Sequence, residues 1–192
     1  MSATPKHRDK IVRAAAVLFR RNGYAATGMN DIVTLSGAPK GSVYHYFPEG
    51  KEQIAIETID YAARLVSETL AQLSQEYATP SDMVRAYGKL LSGWLVKSAF
   101  QDGCPITTTL LELSASSEPV AEAGRRAFAS WKAIYQEKFI AAGMPEQRAI
   151  QLASMTVTSF QGALIFTKVE CSAQPIIDVV AELTTLFDAA VR

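Results

Sequence analysis

A chain of 192 residues and 20.8 kDa holds one or two domains. Leu, Ile, Val and Phe make up 48 of those residues, a quarter of the chain, which excludes a disordered, charge-dominated protein. The formal net charge is zero but unevenly spread: residues 1–51 carry 8 Lys/Arg against 3 Asp/Glu, and residues 52–192 carry 11 against 16. A basic end on an otherwise acidic chain points to a nucleic-acid or membrane partner for that end. The two cysteines, Cys104 and Cys171, make neither a disulfide framework nor a zinc site. No apolar run follows the charges of the first residues, so no signal peptide is expected. The most apolar long stretch, 149–167, is interrupted by Gln151, Ser154, Thr156, Thr158, Ser159 and Gln161 and is expected to be too polar to span a membrane. A soluble, cytoplasmic protein without a membrane partner is expected.

The prolines at 5, 39, 48, 80, 105, 119, 145 and 175 divide the chain, and most open a helical stretch, where a missing N–H costs nothing. Thr4 as cap and Pro5 in the first turn start a helix whose stripe is Ile11, Ala15 and Leu18, widened by Val12 and Phe19, and Gly23 ends it. A short helix is predicted from Met29 to Ser36, with Asp31 in its first turn. Gly37 gives a tight turn, and a second short helix runs from Pro39 to about Tyr46. Two short helices joined by a glycine turn are a helix-turn-helix pattern. Longer helices are predicted over 51–75, over 82–100 after a Thr79-Pro80-Ser81 cap, and over 105–115, 119–142, 145–169 and 175–191. The reading is all-α: a three-helix, helix-turn-helix DNA-binding domain over 1–51 and a larger six-helix domain over 52–192, with the 51–75 helix shared by both.

On the second short helix Val43 and Phe47 stand four apart, as core-facing residues should, and are expected to pack on Ile32, Leu35 and the Leu18–Phe19 stripe. Lys40, Gly41, Tyr44 and His45 then fall on the opposite side. A helix presented this way fits the major groove, N-terminal end first. Gly41 lets backbone come close to a base or phosphate, Lys40 reaches guanine acceptors, and the Tyr44 hydroxyl reaches a phosphate.

Residues 24–54, YAATGMNDIVTLSGAPKGSVYHYFPEGKEQI, resemble the DNA-binding domain of the TetR family of transcriptional regulators. Gly23-Tyr24, Thr27, Met29, Asp31-Ile32, Gly37, Gly41-Ser42-Val43-Tyr44, Tyr46-Phe47 and Lys51-Glu52 carry the likeness, over about residues 8–55. The resemblance implies DNA contacts from Thr27, Lys40, Gly41, Ser42, Tyr44, His45 and Lys51. The connection Phe47-Pro48-Glu49-Gly50-Lys51 is one residue longer than the common family pattern, which changes how Lys51 is aimed. This wording, with Gly103-Cys104-Pro105-Ile106 and Glu112, is similar to the branch of efflux repressors of the LmrA/YxaF type, which answer to lincomycin and flavonoids.

That likeness implies a ligand-binding, dimerising larger domain. The residues themselves offer apolar or small side chains almost all round 149–168, so that helix is expected to be buried on every side, one side against the core and the other against a partner subunit. With 175–191, which carries Ile176, Val180, Leu183 and Phe187, it would form an isologous four-helix homodimer interface. Trp94, Trp131, Tyr135 and Phe160 are expected to line a pocket for a small apolar or aromatic inducer, with Cys104, Thr107, Leu111 and Gln161 beside them. For any single aromatic, plain core is the simpler account. Cys104, ahead of a helix-starting proline, is expected to be somewhat acidic.

The expected function is a dimeric repressor that binds a palindromic operator and is released by an inducer. The alternatives are an activator of the same fold, or a helical ligand carrier that binds DNA without sequence preference. An enzyme is not expected. Both histidines, His7 and His45, lie in the basic end, and no GxSxG, HExxH, GxGxxG or P-loop signature is present. No cofactor and no metal are implied.

Overall fold

The computed structural model describes residues 6–190, so the proposed Thr4 cap and Pro5 first turn lie outside the described residues. Those residues form nine α-helices and no strand. The helices are α1 (Lys6–Asn22), α2 (Met29–Ser36), α3 (Lys40–Tyr46), α4 (Lys51–Glu76), α5 (Pro80–Lys97), α6 (Pro105–Leu113), α7 (Glu118–Ala141), α8 (Glu146–Glu170) and α9 (Gln174–Ala190).

The chain divides into two compact units, and the division does not follow the expected boundary after residue 51. The first unit is Met1–Ala63 with Cys104–Ala127, and the second is Arg64–Gly103 with Phe128–Arg192. The cuts fall inside α4 and α7, and α6 belongs to the unit that contains the helix-turn-helix.

In the first unit Ile11, Val12, Ala15 and Phe19 of α1 pack with Ile32, Ala38, Val43, Phe47, Ile54 and Ala55. Leu113, at the end of α6, packs against the same cluster. Each fully buried Ile or Phe here contributes about 1.5–3 kcal/mol. The expected stripe of α1 is therefore the buried one. Leu35 is a correction: it is 52% exposed, and α2 turns Ile32 to this core instead, with Met29 and Val33 packed beside it.

In the second unit aromatic rings form a chain. Tyr135 stacks on Phe139 at 6.1 Å, and Phe139 meets Phe187 at 4.7 Å. α9 lies close along α5, where Gly88 leaves room for Val180 and Ile176. The Ser81 hydroxyl donates to Asp188 at 2.5 Å, and Lys138 Nζ closes the end of α4 by donating to the carbonyls of Ser74 and Tyr77. α5 stops at Lys97 rather than at Phe100, because Ala99 and Phe100 both take left-handed conformations (φ 49° and 59°).

Within a single chain α8 buries one side, and the side expected to meet a partner subunit is open. Ala149, Leu152, Ala153, Thr156, Val157, Phe160, Ala163, Leu164 and Thr167 face inward, whereas Met155, Ile165, Phe166 and Val169 are exposed. By length and composition alone this helix is apolar enough to cross a membrane, against the expectation from its polar residues. The Thr156 hydroxyl donates back to the Leu152 carbonyl, which removes that group's polarity from the core.

Candidate nucleic-acid interface and ligand cavity

α2 and α3 owe their ends to identifiable residues. The Asp31 carboxylate accepts from the Gly28 N–H at 2.7 Å, where an acidic group also favours the helix dipole. Gly37 takes the left-handed conformation (φ 61°) that ends α2, and its N–H bonds the Val33 carbonyl at 3.1 Å. Pro39 caps α3, its carbonyl accepting from the Ser42 N–H at 2.8 Å. The turn is thereby fixed at both ends with three residues between the helices.

Ile32, Val43 and Phe47 are fully buried, which fixes the rotation of α3 about its own axis. Lys40, Gly41, Tyr44 and His45 are exposed on the opposite side, Tyr44 to 50%. Nothing lies within 4 Å of the position a Cβ would occupy on Gly41. An exposed helical glycine costs about 1 kcal/mol relative to alanine, so the fold itself gives no reason for one. Close approach by something from outside does.

Ser42 is half-buried on the shoulder of that face. Thr27 and Lys51 depart from the expectation. Thr27 is fully buried and its hydroxyl donates to the Gly23 carbonyl at 2.7 Å, so this side chain is not presented to phosphate. Lys51 Nζ donates to the carbonyls of Tyr24 and Thr27, each at 3.0 Å, and lies 4.1 Å from the centre of the Tyr24 ring. Gly50 (φ 76°) turns the chain into α4, which begins with Lys51 held on this turn. Burial and the carboxylates of Glu52 and Glu112 hold the Tyr24 phenol above its ordinary range. Of the other cations, Arg8 pairs with Glu57 at 2.6 Å, and Lys10 and Arg13 are exposed.

In the second unit Trp131, Tyr135, Phe160 and Gln161 converge, with Leu70, Tyr87 and Val157, on one small cavity. Its volume, about 10 Å³, admits the centre of roughly one water. The Tyr135 hydroxyl is buried with no hydrogen-bond partner among the described residues, and the residue is 1% exposed. Trp94 is half-buried on α5 and does not line this cavity. Cys104, Thr107 and Leu111 belong to the first unit, and Leu111 is 77% exposed. The Cys104 expectation is reversed: burial pushes its thiol up, outweighing the N–H groups of Ile106 and Thr107 and the Thr107 side chain. A second cleft, of about 450 Å³, lies among Ala78, Thr79, Pro80, Ser81, Ala142, Phe187 and Asp188. Sequence gave no sign of it, since its walls are the ends of four helices.

An exposed reading face on a short helix, rotated by a buried Val43–Phe47 pair and preceded by a tight glycine turn, defines a helix-turn-helix protein. The comparisons with known proteins carry this to a family. Residues 11–58 match the model of bacterial regulatory proteins of the tetR family, and residues 80–182 match that of the transcriptional regulator LmrA/YxaF-like C-terminal domain. The HTH-type transcriptional regulator YxaF of Bacillus subtilis (strain 168) is 31% identical over 186 residues, covering 97% of each chain. The HTH-type transcriptional regulator LmrA of the same organism is 33% identical over 172 residues, 90% of this chain and 92% of that one. A regulatory protein TetR from Rhodobacter sphaeroides shares the fold, with a TM-score of 0.84 at 21% identity over 95% of this chain and 98% of that one. The chain belongs to the TetR family of transcriptional regulators, with an LmrA/YxaF-like C-terminal domain. It is a DNA-binding regulator and not an enzyme.

Proposed function

We propose that the protein is a homodimeric repressor that binds a two-fold-symmetric operator and lets go when a small apolar or aromatic inducer binds. The observation that carries the DNA-reading part is the exposed face of α3, with Lys40, Gly41, Tyr44 and His45 opposite the buried Val43 and Phe47. Lys40 at the helix start suits guanine O6 and N7, His45 suits a base edge, and the Tyr44 hydroxyl suits a phosphate. Gly41 and Ser42 let the backbone come close. Lys51 assists by holding the preceding turn rather than by reaching outward.

The exposed apolar side chains of α8 and Ile177 of α9 favour the dimer. Met155, Thr158, Gly162, Ile165 and Val169 recur at helical spacing, so they form a stripe that a second copy covers through an isologous contact. The inducer's place is the aromatic cavity around Tyr135, Trp131, Phe160 and Gln161. At about 10 Å³ it is closed to a ligand, which needs roughly 300–1,000 Å³. Inducer binding therefore selects a more open arrangement of these rings, and the cost of opening links occupancy to DNA affinity.

The test uses two variants and a duplex selected from a random pool by the wild-type protein. Tyr44→Phe removes one phosphate hydrogen bond and is expected to weaken binding to every sequence by about tenfold, with little change in preference. Lys40→Ala is expected to relax preference at one base position by about 1–3 kcal/mol. Unchanged affinity and preference in both variants would remove α3 as the reading element.

A further inference from the structure

We infer that Glu112, on α6, is a positioning residue for DNA recognition: its carboxylate grips the turn between α1 and α2 and so sets the angle at which the reading helices leave α1. This rests on the DNA-binding reading above. The two carboxylate oxygens accept from two consecutive backbone N–H groups, Tyr24 at 2.9 Å and Ala25 at 2.6 Å. Charge-assisted bonds of this kind are about twice as strong as neutral ones and fix geometry as well. The carbonyls of the same turn, Tyr24 and Thr27, are held by Lys51 from α4. The turn is thus clamped by an anion on its N–H side and a cation on its carbonyl side.

Gly23 completes the arrangement. It has φ of 84°, and a Cβ there would stand 2.5 Å from Glu112 Oε1. Two further contacts bind α6 to this place. The Thr108 hydroxyl lies 3.0 Å from the carbonyl of Phe19, in the last turn of α1. Leu113 packs against the core that holds α3. α6 is therefore a working part of the reading head although it lies some 60 residues beyond it in sequence. Glu112 itself is exposed, so water can replace it and its loss leaves the core intact. What its loss changes is how firmly the turn is held.

The test measures binding of the full chain to the selected duplex at several salt concentrations, with folding checked by circular dichroism. Glu112→Ala is expected to weaken binding about ten- to hundredfold with an unchanged slope against salt, since no phosphate contact is removed. Glu112→Gln keeps one acceptor and should fall between. Amide exchange should quicken at Tyr24 and Ala25 but not at Ile32 or Val43, a pattern that general loosening of the fold would not give. Gly23→Ala should cost less affinity in the Glu112→Ala background than in the wild type, because the clash is gone. Equal or tighter binding by a folded Glu112→Ala protein overturns the proposal, and tighter binding would mean that Glu112 merely repels phosphate. Should Glu112→Ala fail to fold, wild-type affinity in Glu112→Gln together with unchanged Tyr24 and Ala25 exchange overturns it equally. If the wild type itself binds no duplex better than a scrambled one, the DNA-reading account falls and this one with it.

Discussion

Tyr135 holds a buried hydroxyl without a partner among the described residues. Leaving such a group unsatisfied costs about 1–3 kcal/mol, so Tyr135→Phe is expected to be neutral or to stabilise by about 1 kcal/mol in urea unfolding at neutral pH. Burial also holds the Tyr135 phenol well above its ordinary value of 10.0. The fold therefore favours the neutral form. Its stability is fully present below the unfolded-state value and is lost as pH rises toward the folded one. Above pH 10 the wild type should lose stability that Tyr135→Phe retains. A variant less stable at neutral pH would show that the hydroxyl is satisfied, and the same alkaline loss in the variant would show that another group causes that loss. If an inducer uses this hydroxyl, the same variant binds it more weakly. The exposed face of α3 followed from helical spacing and the buried pair Val43 and Phe47. Thr27 and Cys104 did not follow, because burial rather than residue type decides what a hydroxyl or thiol does.

Among the helices, prolines and glycines made the boundaries legible. Asp31 and Gly37 mark the ends of α2, and Thr79 caps α5, its side chain accepting from the Asp82 N–H. The end of α5 was not legible, since Ala99 and Phe100 take left-handed conformations that neither side chain advertises. Contact between helices was equally hidden. At Gly88 on α5 an added Cβ would meet Val180 Cγ2 of α9 at 2.4 Å. Gly88→Ala gains helix propensity of about 1 kcal/mol, but overpacking costs about 1–3 kcal/mol, and the branched Val180 has little freedom to turn away. The variant should be destabilised by up to about 2 kcal/mol in chemical unfolding, with partial recovery in Gly88→Ala/Val180→Ala. A stabilised single variant would mean that α9 shifts freely along α5. The grip of Glu112 belongs to this scale too. Its partners are backbone N–H groups, which leave no trace in the pattern of side chains.

For the whole molecule, the sequence separated a basic end from an acidic remainder and placed the change of character near residue 51. The compact units part elsewhere, within α4 after Ala63, and α6 joins the reading unit. Charge did not mark that division, because α6 contributes through one carboxylate, one hydroxyl and one leucine. The exposed stripe of α8 is the complementary case: apolar residues that a single chain leaves uncovered, and that a second copy would bury. Two copies related by a two-fold axis would present two α3 helices to one duplex, and the half-sites they read would then lie about 34 Å apart, one turn of DNA. The central claim is that this chain reads DNA as such a pair. The direct measurement is a nuclease-protection footprint of the purified protein on a duplex selected from a random pool, with a scrambled competitor. The account predicts one competitor-resistant protected region with two-fold symmetry and two half-sites a turn apart. Protection that is unsymmetrical, equal on the scrambled duplex and abolished by modest salt would contradict it, leaving a helical protein whose basic end holds DNA without reading a sequence.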